Sequence, residues 1–350
     1  MTLKDIDKPS LDHLQRLTTS LGLYEHALLH EPRPEHGYCV DDVARGLLFL
    51  CREPQLDPTA EKMLDIYLNF TLSAISEDGR CRNRMDVNGA WTDEPATGDW
   101  WGRACWGLGF AAIHAPIPTQ RTAALDGFRK LSKAPSSDLR AISFAALGAG
   151  EILLELPKES DARNILHEAE PRLQLQISAD WYWPETRLGY SNASLAEAAM
   201  ITGEALGHDP LIKCGLKMLE FLLSIETKNG HFSPTPVGGR GPDDLETQFD
   251  QQPIEIAAIA DASSRAWKIT GDSRWLKEIE RAWLWFLGDN DVGVVMLNPE
   301  TGGGFDGLHD HGPNQNQGAE STMAMLSTAQ QFYRFFSAVN CLRPVIPNLR

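Results

Sequence analysis

Apolar residues follow two alternating patterns along the chain. In the first pattern, small and apolar residues fill almost every position of a segment, and each segment opens with a polar or Gly-rich stretch. The spacing between such segments is roughly 50 residues. The six segments are "DDVARGLLFLC", "DWWGRACWGLGFAAI", "LRAISFAALGAGEILLEL", "NASLAEAAMITGEAL", "PIEIAAIADASSRAW" and "GAESTMAMLSTAQQFYRFF". Helices that are apolar on all sides are buried on all sides, so we predict six inner helices.

The second pattern has one apolar stripe and one charged face. Its segments alternate with the inner ones, and they are "SLDHLQRLTTSLGLY", "AEKMLDIYLNFTLSAI", "TAALDGFRKLSKA", "ARNILHEAEPRL", "PLIKCGLKMLEFLLSI" and "SRWLKEIERAWLWFL". Apolar positions three and four apart are typical of helices with one face in water. Six inner and six outer helices in alternation predict an all-α fold, an (α/α)6 toroid. Short hairpins are expected near "GVVML" and "GHFSPTPV".

The connections between helices are uneven in length. Those that leave an inner helix are short, as in "GHDP" and "TGDS", whereas those that lead into one are long and rich in Trp, Gly, Asp, His and Asn. Long ordered loops in a compact domain are usually functional. Because the long loops all precede inner helices, we expect a polar and aromatic cleft at the N-terminal ends of those helices.

Composition limits the class of protein and its partners. No Pro, Ser or Gly linker divides the 350 residues, so we expect one domain over residues 1–338 and a C-terminal tail over 339–350. The net charge of -16 argues against nucleic acid as a partner. No signal-like start and no apolar run of about 18 residues are present, so we expect a cytoplasmic protein without membrane contact. The six cysteines form no CxxC pair and are expected to be free thiols.

Five of the junctions before inner helices carry carboxylates, interleaved with amides, histidines and aromatic residues. The stretches are "HGYCVDDVAR", "EPATGDWWGRACWGLG", "DWYWPETRLGYSNASLAEA", "FDQQPIEIAAIADA" and "GGGFDGLHDHGPNQNQGAES". Aromatic faces stack on sugar rings, while carboxylates and amides bind hydroxyl groups, so the pattern predicts a site for a mono- or oligosaccharide. Each carboxylate has a structural alternative as a helix cap. Adjacent helical residues point about 100° apart, so we expect Asp41 to pair with Arg45 and Asp42 to meet the sugar.

Glycoside hydrolysis requires two carboxyl groups, one protonated as an acid and one ionised as a base or nucleophile. Asp99 lies beside Trp100 and Trp101, the most apolar of these neighbourhoods, and is therefore our candidate acid. Glu255 or Glu320 is the candidate base, with Asp42 in reserve. The predicted substrate-binding residues are His36, Tyr38, Asp41, Asp42, Trp100, Trp101, Arg103, Trp183, Tyr190, Asn192, Gln252, His311 and Asn316. This chemistry requires no cofactor, and His309 and His311 lack the third ligand that a metal site would need.

Two other functions fit the same fold. A sugar 2-epimerase or isomerase abstracts a proton beside a carbonyl and would depend on histidines, here His36, His231, His309 or His311. A saccharide-binding domain without catalytic activity is the second alternative. Cleavage, epimerisation and binding without turnover are separate observable outcomes, so one assay distinguishes the three.

The chain resembles a bacterial family of six-hairpin glycosidase-like (α/α)6 barrels, found alone or fused to glycosyltransferases. The matching stretches are "HGYCVDDVARGL", "GRACWGLG", "GYSNASLAEA" and "NQGAESTMAML", which span the first to the sixth inner helix. The resemblance implies the toroidal fold, a carbohydrate site at one end of the barrel and a functional association with a glycosyltransferase. It carries over no catalytic residue, because barrels of this kind host hydrolases, lyases, phosphorylases and epimerases.

Overall fold

The computed structural model describes residues 8–174, 180–244 and 246–341, the last six of them by their backbone alone. Twelve α-helices lie in this part of the chain, alternately outer and inner. The outer helices are α1 (Asp12–Leu17), α3 (Pro58–Ser73), α5 (Pro118–Leu131), α7 (Ser160–Ala169), α9 (Asp209–Glu226) and α11 (Arg274–Phe286). The inner helices are α2 (Val40–Arg52), α4 (Asp99–His114), α6 (Leu139–Glu155), α8 (Ala193–Leu206), α10 (Pro253–Thr270) and α12 (Ala319–Cys341).

The inner helices form a closed ring. Each packs against the next inner helix along the chain, and α12 packs back against α2. The outer helices surround this ring. Helices α3, α5, α7, α9 and α11 each pack against the inner helix that precedes them in sequence, and α1 packs against α12. The predicted (α/α)6 toroid is therefore confirmed, and the alternating patterns arise because the inner helices are covered on all sides.

Small residues in the inner ring let the helix backbones approach closely. A Cβ atom at Gly102 of α4 would overlap the carbonyl oxygen of Ala141 in α6, and one at Gly148 of α6 would overlap that of Cys105 in α4. These contacts leave no room for a larger residue. The Gly- and Ala-rich segments of the sequence thus mark helix pairs in backbone contact.

The long loops all gather at the N-terminal ends of the inner helices, as predicted. In the described part of the chain they cover residues 18–39, 74–98, 132–138, 170–174 with 180–192, 227–244 with 246–252, and 287–318. Each of five short antiparallel strand pairs lies within them, and the pairs are β1 (Ala27–Leu28) with β2 (Glu31–Pro32), β3 (Tyr38–Cys39) with β4 (Arg84–Met85), β5 (Thr227–Lys228) with β6 (His231–Phe232), β7 (Leu297–Asn298) with β8 (Gly303–Gly304), and β9 (Gly307–His309) with β10 (Gly312–Asn314). The hairpin predicted at "GHFSPTPV" includes β6, and the one predicted near "GVVML" begins only at its last residue, Leu297.

Helix α12 runs to Cys341, three residues into the predicted tail, and the rest of that tail lies outside the described residues. Cys39, Cys51, Cys81, Cys105 and Cys214 are free thiols, as expected. In the described part of the chain, no helix combines the length and apolarity needed to cross a bilayer.

Candidate active site

A cavity of about 580 Å³ opens where the long loops meet the ring. Its volume lies in the range typical of small-molecule sites. Its lining is mostly polar, and it consists of Glu25, His26, Cys39, Asp41, Asp42, Arg45, Asn83, Arg84, Asp99, Trp100, Tyr190, Asp250, Gln252, Asp306, Asn314, Gly318, Glu320 and Ser321. Seven of the predicted site residues are in this set: Asp41, Asp42, Asp99, Trp100, Tyr190, Gln252 and Glu320.

Arg45 is the centre of a charged cluster on the cavity wall. Its guanidinium lies 2.6 Å from Asp41 Oδ2, 2.8 Å from Asp42 Oδ1 and 2.7 Å from Glu320 Oε2. Burial acts against the charge of Arg45, but the three carboxylates outweigh it and raise the pKa of the guanidinium. The cluster joins the first turns of α2 and α12 and fixes the position of the Glu320 carboxylate.

Asp41 and Asp42 both contact Arg45 but differ in exposure. The Asp42 side chain is 5% exposed and accepts a hydrogen bond from Cys39 Sγ at 3.2 Å, whereas the Asp41 side chain is 24% exposed. Burial raises the pKa of Asp42 to about 8, against the opposing effect of Arg45. The cap of α2 is Cys39, so neither aspartate caps the helix. The more accessible member of the pair is therefore Asp41, the reverse of the expectation from the sequence.

Asp99 is the first residue of α4, after the cap residue Gly98. Its carboxyl group is partly buried, and this burial, together with the nearby carboxylate of Asp138, raises its pKa to about 6. Arg103 one turn later acts in the opposite direction. Asp99 thus has the shifted pKa that a general acid requires near neutral pH.

The other charged groups of the cavity are also predominantly acidic. Arg84 forms an ion pair with Glu25. Burial raises the pKa of both Asp250 and Asp306, and Asp306 Oδ1 accepts a hydrogen bond from the backbone N–H of Gly318 at 2.7 Å. Every arginine of the described lining is therefore already paired with a carboxylate.

Glu255 lies outside the cavity lining. It is 2% exposed and accepts hydrogen bonds from the backbone N–H groups of Ser191 and Asn192, and from Asn192 Nδ2 at 3.1 Å. These N–H groups start α8, so the carboxyl group of Glu255 caps that helix from α10. Burial raises its pKa to about 8, with the N–H donors acting in the opposite direction.

Several predicted binding residues face the interior of the protein. Tyr38 and Trp101 are at most 1% exposed, Trp183 is fully buried, and Asn192 is held by Glu255 and by the backbone N–H of Gly189. Arg103 is buried one turn after Asp99 in α4, with its guanidinium 3.6 Å from the Phe144 ring centre and its Nε 3.6 Å from Asp41 Oδ1. Asn316 accepts a hydrogen bond from the backbone of Leu29 at 2.9 Å. The sequence indicates residue type, but it does not indicate which way each side chain turns.

None of the histidines named for epimerase chemistry is in the described cavity lining, but His309 Nδ1 lies 3.8 Å from Asp250 Oδ1, which is part of it. His231 contacts Asp291 at 3.1 Å, His309 and His311 stack on each other, and His36 is exposed beside His26. His26 is the one histidine of the described lining, and its side chain is 48% exposed.

Four lining residues lie outside all five of the carboxylate-bearing stretches singled out in the sequence: Glu25, His26, Asn83 and Arg84. They belong to the loops that follow α1 and α3. The pairing of β3 with β4 joins these two loops beside α2. The length of the loops was the available signal, because no pattern within them indicates their pairing.

Two groups of side chains have atoms close enough to share a metal ion, with all ligand atoms within 4.8 Å of one another. They are Asp41, Asp42 and Glu320, and Glu25, Cys39 and Asp42. The Arg45 guanidinium already contacts every carboxylate of the first group. In the second group, burial raises the pKa of Cys39 and keeps its thiol protonated, whereas a metal would require the thiolate.

The sequence matches no protein-family model and no curated protein. Solved structures do match over almost the whole chain. A sugar epimerase from a ruminal bacterium has a TM-score of 0.69 and 13% identity, over 91% of this chain and 95% of the epimerase. Cellobiose 2-epimerase from Bacillus thermoamylovorans has a TM-score of 0.71 and 10% identity, over 93% and 96%.

An α-mannanase from Bacteroides thetaiotaomicron is also similar, with a TM-score of 0.61 and 11% identity, over 94% of this chain and 95% of the mannanase. Identities this low establish the architecture, and the reactions in these names are those of the matched proteins. The chain has the fold of the six-hairpin glycosidase-like (α/α)6 barrels.

Proposed function

We propose that this chain is a glycoside hydrolase that cleaves a small saccharide with two carboxyl groups. One observation carries the proposal: Asp99, with a pKa raised to about 6, and Glu320, bound to Arg45, line the same cavity. A protonated carboxyl group and an ionised one beside the same ligand are what glycosidic cleavage requires. The sugar-processing enzymes among the matched structures support a carbohydrate substrate.

In this proposal Asp99 donates a proton to the leaving oxygen of the glycosidic bond. Glu320 is the second carboxyl group, which acts as the base or nucleophile at the anomeric carbon. The Arg45 guanidinium, 2.7 Å away, holds the Glu320 carboxylate in place at the cavity wall. Trp100 and Tyr190 supply aromatic surface for a sugar ring, and Asp41 and Gln252 supply groups for its hydroxyls. Glu255 is not part of the proposed machinery, because its carboxyl group is bound to the start of α8.

The epimerase remains the second candidate because several of the matched structures are epimerases. Its chemistry needs groups that remove and return a proton at C2. His26 is the one histidine of the described lining, so His26→Ala separates the candidates. An epimerase would lose turnover with this change, whereas a hydrolase that uses Asp99 and Glu320 would keep its kcat.

The direct experiment incubates the protein with gluco- and manno-configured disaccharides of α and β linkage, and follows released reducing ends. We expect cleavage of at least one disaccharide, and a loss of about 10²–10⁴-fold in kcat for Asp99→Asn and for Glu320→Gln. Asp310→Asn is the matched control, since Asp310 is an exposed aspartate outside the cavity lining. Full activity in both cavity variants, or binding without turnover in the wild type, would rule out the proposal.

A further inference from the structure

Another large pocket lies at the opposite end of the ring from the candidate active site. Its volume is about 500 Å³, and we call it the basal pocket. Arg52, His114 and Lys268 belong to the last turns of α2, α4 and α10, so the pocket lies among the C-terminal ends of the inner helices. Asp42 of the candidate active site is ten residues before Arg52 on α2, which separates the two sites by about 15 Å. The described walls are Lys8, Cys51, Arg52, Glu53, Pro54, Phe110, His114, Glu151, Lys268, Gln330, Tyr333 and Arg334.

The described walls of the basal pocket carry more positive than negative charge. Four of the side chains are those of lysine or arginine, and two are carboxylates. Both carboxylates are already paired: Glu53 Oε2 lies 2.6 Å from Lys8 Nζ, and Glu151 forms an ion pair with Arg265. Arg52 is paired with a carboxylate of α10 at 2.8 Å. No carboxylate of the described lining is therefore left for the remaining two cations.

These two cations are Lys268 of α10 and Arg334 of α12. Both residues are exposed, and neither has an ion pair or a hydrogen bond in the part of the chain that the structure describes. Desolvation by the pocket walls and the charge of Arg265 lower the pKa of Lys268 to about 8, with Glu151 acting in the opposite direction. Desolvation and the charge of Arg52 also lower the pKa of Arg334. The two cations thus lie in a surplus of positive charge that a bound anion would balance.

The helix ends alone do not account for this charge. A cation in the last turn of a helix interacts favourably with the helix dipole, and Arg52 and Lys268 are in such positions. Arg334 is not, because seven residues of α12 follow it. The charge of the pocket is also opposite to the net charge of -16 of the whole chain. A local excess of unpaired cations in a concave site therefore indicates an anionic ligand.

The charge and the walls of the basal pocket indicate the class of anion. A phosphate ester carries about -1.5 to -2 charges at neutral pH, which matches the two unpaired cations, whereas a carboxylate would leave one of them unbalanced. Guanidinium groups also bind phosphate oxygens in a bidentate manner. Phe110 and Pro54 add apolar surface, and a volume of about 500 Å³ is in the range of sites for whole small molecules. An organic group attached to the phosphate therefore fits better than a free ion.

We propose that the basal pocket binds a small phosphate monoester, with the phosphate held by Lys268 and Arg334 and the organic group against Phe110 and Pro54. The described linings of this pocket and of the candidate active site share no residue, so the proposal does not depend on the hydrolase function. The candidate active site is not a competing site for such an ester. Its arginines are already paired with carboxylates, and its other charged groups are predominantly acidic.

Calorimetric titration with phenyl phosphate tests the site, since this ester has no sugar ring that could enter the candidate active site. We expect binding at one site of the wild-type protein, and binding at least about tenfold weaker in each of Lys268→Gln and Arg334→Gln. Lys277→Gln is the matched control and should bind like the wild type, because Lys277 is an exposed lysine of α11 outside both linings. Absence of binding to the wild type, or unchanged affinity in both pocket variants, would overturn the proposal.

Three further titrations test the chemistry and the location of the ligand. Inorganic phosphate and benzoate should each bind at least about tenfold more weakly than phenyl phosphate, because the first lacks the organic group and the second carries one charge. Asp99→Asn should bind phenyl phosphate like the wild type. Equal or tighter binding of either ion, or a marked loss of affinity in Asp99→Asn, would overturn the assignment. Binding of phenyl phosphate by a protein that cleaves no disaccharide would remove the hydrolase proposal and leave this one standing.

Discussion

At the scale of single residues, the surroundings of Asp99 set its proposed role. The sequence supplies an aspartate beside two tryptophans, but these two side chains separate in the fold. Trp100 lines the cavity and donates its indole N–H to the carbonyl oxygen of Cys81 at 2.8 Å, whereas Trp101 is fully buried. Partial burial and Asp138 then raise the pKa of Asp99. Only one of the two tryptophans therefore contributes to the cavity, and the role of Asp99 as the acid stays a prediction.

The pKa of Asp99 predicts how activity depends on pH. A general acid must be protonated, so kcat/KM is expected to fall as the pH rises through about 6. Asp99→Asn should remove this alkaline decline along with most of the activity. Initial rates between pH 4 and 9 provide the measurement. An alkaline decline that persists in residual Asp99→Asn activity would assign the acid to another group.

At the scale of secondary-structure elements, the sequence predicted the helices well because their patterns reflect local burial. The inner and outer helices follow from the apolar positions of each segment, and so do the short connections between them. The cavity was predicted less completely, since Glu25, His26, Asn83 and Arg84 come from loops joined by the β3–β4 pairing. Pairing between distant loops leaves no periodic signal in a single sequence.

Glu255 is predicted to stabilise the start of α8 without taking part in chemistry. Glu255→Ala would leave the N–H groups of Ser191 and Asn192 without their acceptor, at a cost of about 1–3 kcal/mol in the free energy of unfolding. Urea denaturation measures this loss, and kcat per folded molecule should stay within about fivefold of the wild type. A large fall in kcat with unchanged stability would contradict this and would support Glu255 as the catalytic base.

The contact between α4 and α6 is predicted to tolerate no added volume. Gly148→Ala would push a methyl group against the backbone of Cys105, so we expect a loss of about 1–3 kcal/mol in the free energy of unfolding. Gly238→Ala is the control, because a Cβ atom there has open space around it. Equal stability of the two variants would contradict the close approach of these helices.

At the scale of the whole molecule, the cavity carries the same sign of charge as the protein. Its lining includes seven carboxyl groups, and both of its arginines are already in ion pairs. Association with a glycosyltransferase, which the sequence resemblance implies, stays a prediction. The negative charge of the cavity is compatible with a neutral sugar, whether or not the chain acts together with a glycosyltransferase.

Neutral saccharides are therefore expected to bind better than acidic ones. A uronate in this cavity would find no unpaired arginine in the described lining and would face surplus carboxylates. We expect at least about tenfold weaker binding for a disaccharide with a terminal uronic acid than for its neutral counterpart. Calorimetric titration of the Asp99→Asn variant measures both affinities without turnover. Equal or tighter binding of the uronide would contradict this charge argument.

The most direct test of the central claim is proton NMR of the disaccharide reaction in D₂O with wild-type protein. A hydrolase that works through Asp99 and Glu320 breaks the glycosidic bond and does not exchange the proton at C2. The account therefore predicts new reducing-end anomeric signals and no deuterium at C2 with the wild-type protein. It predicts that the Glu320→Gln variant releases neither the monosaccharide nor a new reducing end. Deuterium at C2 or a C2 epimer with the glycosidic bond intact would contradict it.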